Sequence, residues 1–365
     1  MAGAVNKQIS AASANQKTCF NLPSGIFATL LVVFSVGISA WGYQVIQPPP
    51  NKLPGSPGGP PITGPRIKLG DGRHLAYKER GVSKDAAKYK IIFLHPFGSC
   101  RHDPVVDNKL SQELIEELGI YIINFDRPGH GESDPHPRRT LKSLTLDIEE
   151  LADQLELGSK FYLIGYSMGG VLTWSCLKYI PHRLAGVSLL APAINHWWPS
   201  FPANLSTEAF NKMLARDRWA YRVFRYTPWL AYWWSNQKWF PGSSVIANTP
   251  VLSDQDKKIA QHINYSKLKH ARQQGEAESI FREAAIVIGN WEFDPMEMEN
   301  PSPNGEAYVH IWQGDEDGVI DVTLQRYIVQ RLSWIRYHEV SGSGHMFPFL
   351  DGMFDKIVRV MLTRE

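Results

Sequence analysis

Three residue types that together can make an alcohol reactive lie far apart in this chain. Ser167 sits in Gly165-Tyr166-Ser167-Met168-Gly169, a Gly-x-Ser-x-Gly pattern between the strand-like run FYLIGY and the helix-like run GGVLTWSCLKYI. Small flanking residues let the chain bend sharply, force the serine into a strained backbone conformation and expose its hydroxyl. The helix starting there turns N–H groups and its positive dipole end toward any anion formed beside the serine. A hydroxyl alone is a weak nucleophile and needs a base. His345, in VSGSGHMFPF, follows the last strand-like run and so reaches the sheet edge that carries Ser167; His338 lies inside that run and is the weaker choice. An imidazole in this role needs a carboxylate to fix its tautomer and balance its charge. WQGDEDGVI offers Asp315, Glu316 and Asp317. Asp317, three residues after Gly314 and ahead of the apolar pair Val319-Ile320, is preferred, with Asp315 the fallback. Acyl transfer also requires donors for a developing oxyanion. The N–H of Met168 at the helix start supplies one and that of Phe97, in HPFGS, the other; Pro96 has no N–H to offer.

These groups need a scaffold, and the hydrophobic pattern supplies one. RIKLGDGRHLAYKER reads as a hairpin turning at Gly70-Asp71-Gly72. YKIIFLH and IYIINFD are continuous apolar runs of the kind found in strands covered on both faces. LSQELIEELG, with helical spacing and a terminal glycine, lies between them. A helix-like LTLDIEELADQLELG, the elbow itself and LAGVSLLAP continue the alternation, which implies a parallel sheet with crossover helices. The rhythm stops near Ala193 and returns at AYVHIWQG. Residues 193–303 between hold eight of the twelve tryptophans. Helices are expected around 207–225 and 254–285, then near 322–332 and from Phe349 to Leu362. The tryptophan-rich segment is expected to pack mostly on itself, with a few aromatics facing the cleft or a membrane.

The N-terminal 65 residues differ. Residues 1–24 are polar, and 25–47 open on GIFATLLVVFSVGISAWGY, which carries no charge. Such a run crosses a hydrocarbon core of about 30 Å as a helix. A single-pass anchor in the secretory or endomembrane system is the favoured reading; a cleaved signal peptide, an organellar transit peptide and a buried core helix are the alternatives. Residues 48–65, rich in proline and glycine, read as an extended spacer. The α/β core is assigned to 66–192 and 304–365, and the helical insertion to 193–303.

Composition excludes several classes. A net charge of +2 argues against nucleic acid as a partner. Cys19, Cys100 and Cys176 match neither a disulfide framework nor a metal spacing. No metal or other cofactor is called for. Asn204-Leu205-Ser206 and Asn264-Tyr265-Ser266 have the form of glycosylation sequons.

Five segments give the chain a resemblance to a known family: LHPFGS (94–99), FDRPGHGESDP (125–135), GYSMGG (165–170), GDEDGVI (314–320) and SGSGH (341–345). It resembles the α/β-hydrolases, and more narrowly the plant membrane-anchored serine hydrolases with a lipase- or esterase-type core, over about residues 66 to 365. The resemblance implies a mostly parallel sheet flanked by helices, a helical cap, a triad of Ser167, Asp317 and His345, and oxyanion donors at Phe97 and Met168. It departs in one place, where His95-Pro96 replaces the usual His-Gly. A serine rather than an aspartate at the elbow sets the chain apart from epoxide hydrolases and haloalkane dehalogenases of this fold. The expected function is a serine hydrolase acting on an ester or lipid-like acyl bond through an acyl-enzyme. A ligand receptor with little turnover and an acyltransferase using the same triad are the alternatives.

Overall fold

The computed structural model describes residues 24–245, 251–302 and 308–363. Nearly all of the polar segment 1–24, with Cys19, lies outside them. Two units separate, Met1–Gln47 and Pro48–Glu365. Within the first, Ser24–Ile46 forms a single helix, α1. Gly25–Ile46 is long and apolar enough to cross a membrane or to serve as a signal sequence.

In the second unit the apolar runs become strands β1 (Arg66–Lys68), β2 (His74–Gly81), β3 (Tyr89–Leu94), β4 (Ile120–Phe125), β5 (Phe161–Tyr166), β6 (Leu184–Leu190), β7 (Val309–Gly314) and β8 (Ile335–Val340). They form one sheet of order β1-β2-β4-β3-β5-β6-β7-β8. β1 and β2 pair antiparallel as the expected hairpin, and β2 runs antiparallel to β4. From β4 to β8 every pairing is parallel. This is an α/β-hydrolase fold, as expected. Every position of β4 is buried, as are Ile91 to Leu94 of β3. Each such fully buried side chain contributes about 1.5–3 kcal/mol, which is why these strands read as unbroken apolar runs rather than alternating ones.

Helices α2 (Pro104–Lys109), α3 (Gln112–Leu118), α4 (Leu141–Gln154) and α5 (Met168–Tyr179) flank the first half of the sheet. α3 ends as its sequence predicts: Gly119 adopts φ 65° and its N–H bonds the Ile115 carbonyl. α2 was not anticipated; it is short, and Pro104 at its first position reads as a loop signal until Asp103 is seen capping it.

Between β6 and β7 the chain runs through α6 (Ala203–Lys212), α7 (Ala215–Tyr226), α8 (Ala231–Asn236), α9 (Asp254–His262) and α10 (Arg282–Ile288), with a wider π-helical turn, Ala277–Phe281, leading into α10. The helical stretches expected around 207–225 and 254–285 are each divided into shorter helices. Met213 and Leu214 are extended, with ψ 152° and 143°, and separate α6 from α7. α11 (Val322–Arg331) and α12 (Met353–Thr363) complete the core. α12 starts later than expected because Phe347–Phe349 forms a separate turn around Pro348.

The proline-rich segment is not an extended spacer. Lys52 N donates to the Gln274 carbonyl at 3.0 Å and Gly55 N to that of Pro60 at 2.8 Å. Thr63 N donates to Glu132 Oε2 at 2.9 Å. Proline and glycine forbid a helix or inner strand, yet suit the turns that press this segment onto the globular unit.

Candidate active site

The bend between β5 and α5 holds Ser167 at φ 53° and ψ −112°. Few non-glycine residues adopt a positive φ, and those that do are held there by their surroundings. Two glycines allow the bend: a Cβ on Gly165 would sit 2.0 Å from Thr173 Oγ1, and one on Gly169 2.0 Å from the Leu94 carbonyl oxygen. Ser167 N donates to the Leu190 carbonyl at 2.7 Å, which ties the bend to the end of β6.

Three sequence-distant side chains meet here. His345 Nε2 lies 2.9 Å from Ser167 Oγ, and His345 Nδ1 lies 2.8 Å from Asp317 Oδ2. A carboxylate can only accept, so Nδ1 carries the proton and Nε2 is left to accept from the serine. Asp317 is fixed in turn. Its Oδ1 accepts from Val319 N at 2.8 Å and Ile320 N at 2.9 Å, and its Oδ2 from Gln313 Nε2 at 2.9 Å. Asp315, the fallback, instead bonds Ser341 Oγ and Ser343 N. His338 pairs with His310 at 2.9 Å, within the sheet. All three members of the cluster are buried.

Two supports of His345 were not legible beforehand. Tyr166 donates its hydroxyl to the His345 carbonyl at 3.0 Å, and its ring stacks on the imidazole at 5.5 Å. Asp256, from α9 of the insertion, accepts from His345 N and from Met346 N, each at 2.8 Å. Burial opposes a charged His345, but the charge and hydrogen bond of Asp317, with the charge of Asp256 behind them, outweigh it and raise the imidazole above its ordinary value. The only sequence signal for Asp256 was a capping serine at Ser253, whose hydroxyl accepts from Asp256 N.

Phe97 and Met168 border the cavities that open at Ser167. Met168 is the first residue of α5, where helix N–H groups lack an intrahelical partner. The loop carrying Phe97 is braced from both sides. Asp103 accepts from Ser99 Oγ at 2.6 Å and from Val105 N at 2.9 Å. Arg127, in the 125–135 segment, donates to the carbonyls of His95 and Pro96 and pairs with Glu283 of α10. The 125–135 segment itself is organised around buried Asp126, whose carboxylate accepts from Arg101 N at 2.7 Å and Glu132 N at 3.0 Å. A proline at position 96 removes a donor but leaves the carbonyl that Arg127 holds.

A cleft of about 530 Å³ opens at Ser167 and His345, bordered by Phe97, Tyr166, Leu268 and Phe349. A second space of about 60 Å³, lined by Ala220, Phe224, Val287 and Ile288, also reaches Ser167. No tryptophan lines either one among the described residues. The aromatic contribution expected of the insertion therefore comes from phenylalanine and tyrosine; the indoles pack on other aromatic rings or face outward. Cys100 and Cys176 are free and buried, and no cluster of metal-ligating side chains occurs among the described residues. Asn204 and Asn264 are both exposed.

Sequence and structure comparisons bear on the family and the fold. Residues 91–360 match the model of the alpha/beta hydrolase family. A Bacillus subtilis (strain 168) protein carrying the name of a 2-succinyl-6-hydroxy-2,4-cyclohexadiene-1-carboxylate synthase is 33% identical over 128 residues, 34% of this chain and 42% of that one. The sn-1-specific diacylglycerol lipase ABHD11 of Danio rerio is 35% identical over 81 residues, 22% of this chain and 24% of its own. The monoacylglycerol lipase ABHD6 of Homo sapiens is 28% identical over 125 residues, 33% of this chain and 34% of its own. The matches thus span less than half the length of each relative. Among solved structures, the enol-lactonase from Burkholderia xenovorans LB400 superposes with a TM-score of 0.56 at 16% identity, covering 82% of this chain and 100% of that one. At such identity the likeness concerns the fold. With a family match over most of its length, this chain belongs to the alpha/beta hydrolase family.

Proposed function

We propose that the protein is a serine hydrolase that cleaves an ester or related acyl bond of a partly hydrophobic substrate. One observation carries the reading: Ser167 Oγ, His345 and Asp317 stand in a hydrogen-bonded line, at 2.9 and 2.8 Å, on a serine held at positive φ. In the reaction, Ser167 Oγ attacks the acyl carbon as its proton passes to His345 Nε2. Asp317 stabilises the imidazolium through the Nδ1 proton. The oxyanion accepts from the N–H groups of Met168 and Phe97. The bond to the leaving oxygen breaks as His345 returns the proton to it, leaving an acyl group on Ser167. Water then adds to that acyl carbon, giving its proton to His345, and the carboxylic acid departs as the serine recovers its hydrogen.

The narrow apolar space beside Ser167 suits an acyl chain, and the wider cleft suits the leaving group. The lipase names of two relatives agree with such a substrate. We read residues 24–46 as a membrane anchor on their length and lack of charge. A fluorophosphonate probe tests the enzymatic reading. Labelling that disappears in Ser167→Ala supports it, and a folded protein that takes no label would instead be a receptor on a hydrolase scaffold. Products formed with added alcohol would separate transfer to the alcohol from transfer to water.

A further inference from the structure

The packing divides the tryptophans of the insertion. Trp198 is buried against Phe201 and Trp291, at 5.7 and 4.9 Å between ring centres. Trp219, Trp229 and Trp239 are 57, 61 and 78% exposed. Outside α1, every exposed tryptophan and phenylalanine among the described residues falls between positions 214 and 240, together with Leu214 and Tyr226. Exposed apolar groups gathered in this way mark an interaction surface.

The charge of the same stretch is one-sided. Residues 214–240 hold Arg216, Arg218, Arg222, Arg225 and Lys238 against a single carboxylate, Asp217. Asp217 is turned inward, where it accepts from the hydroxyls of Ser243 and Ser244. Helix α7 shows both sides of the arrangement. Trp219, Arg222 and Tyr226, at i, i+3 and i+7, share its exposed face. The Arg222 guanidinium lies 5.4 Å from the Trp219 ring. Ala220 and Phe224, at i and i+4, face inward and line the narrow space beside Ser167.

We propose that residues 214–240 form a docking face for an anionic lipid bilayer. Indole and phenol rings settle at the boundary between headgroups and acyl chains, and interleaved arginine and lysine hold anionic headgroups. Each such basic residue near the surface strengthens binding roughly 5-fold. A second copy of the same cationic face is repelled rather than attracted. The chain also carries, in α1, a helix apolar enough to enter a membrane. Docking in this manner does not depend on turnover at Ser167.

The test uses the full chain bound to phosphatidylcholine vesicles containing brominated phosphatidylglycerol, whose bromines quench nearby indoles. The quenched part of the tryptophan emission should fall by more than half in Trp219→Ser/Trp229→Ser/Trp239→Ser, leaving the contribution of α1. It should fall similarly in Arg222→Glu/Lys238→Glu, which keeps every indole. Circular dichroism unchanged in both variants ensures that the fold is intact. Quenched emission equal in wild type and both variants would overturn the proposal. So would indoles shielded only where the wild type, and not the triple variant, elutes as a dimer.

Discussion

The Asp256 carboxylate accepts the backbone N–H of His345 at 2.8 Å across 89 residues of sequence, and that of Met346 at the same distance. The insertion therefore grips the loop that carries His345. The grip also accounts for the residue before it, since a Cβ on Gly344 would sit 2.1 Å from Asp256 Oδ2. Asp256→Asn keeps the size but turns an amide donor toward one of the two N–H groups. We expect kcat to fall about 10- to 100-fold with little change in KM, because a charge-assisted hydrogen bond of this kind contributes about 1.5–3 kcal/mol. Steady-state kinetics together with the pH profile check this. A merely structural role would lower the amount of active protein and leave the profile unmoved.

The acid limb of activity should lie above the ordinary histidine value. In the proposed mechanism His345 accepts the serine proton only when neutral, and its environment favours the charged form. kcat/KM should therefore rise with pH through the raised value and level off above it. Asp256→Asn removes one of the charges responsible, so its limb should move to lower pH. The same shift affects stability with a definite sign. The proton binds more tightly in the folded chain, so its stabilisation is full below the unfolded value and fades as pH rises through the folded one.

Asp317→Asn should lower kcat by about 10⁴-fold, the cost of losing the acceptor that fixes the imidazole tautomer. Asp315→Asn should leave turnover nearly unchanged, since Asp315 bonds Ser341 and Ser343 rather than His345. Hydrolysis of a nitrophenyl ester by the two variants compares them directly. The reverse ranking would assign the acid to Asp315.

Glu283→Gln should destabilise the protein by about 3–5 kcal/mol, because it leaves the buried Arg127 guanidinium without its counter-charge. Burial alone would raise the Glu283 carboxyl, but the adjacent charges of Arg127 and His130 hold it far below the usual carboxylate range. Urea denaturation measures the loss. Activity should fall as well, since the same guanidinium donates to the His95 and Pro96 carbonyls just before Phe97.

Phe224→Ala should shift the acyl-chain preference toward longer chains by enlarging the space beside Ser167. Each extra methylene it admits contributes about 0.8 kcal/mol, or roughly 4-fold in kcat/KM. A series of nitrophenyl esters of increasing length reads this out. An unchanged optimum would mean that the acyl chain lies in the wider cleft instead.

The strands and the elbow were legible because buried parallel strands must be apolar along their whole length, and because so sharp a strand-to-helix bend centred on a serine needs glycine two residues either side. His345 was legible for a similar reason: a loop just past the last strand can only emerge at one edge of the sheet. Asp256 was hidden, since a carboxylate near the start of a helix ordinarily signals favourable dipole placement. Arg127 was hidden among residues that read as a structural loop. The broken helices of the insertion escaped because helical spacing continues on both sides of Met213 and Leu214, while packing chose an extended link.

By itself, the order of residues determined the α/β alternation, the bend at Ser167 and the loop that carries His345, because these follow from local periodicity and from where strands must end. Only the tertiary structure decided which of three neighbouring carboxylates meets the imidazole, which residue of the insertion holds its loop, and which tryptophans stay in water. Those outcomes depend on contacts between segments distant in the chain, and no local pattern encodes them.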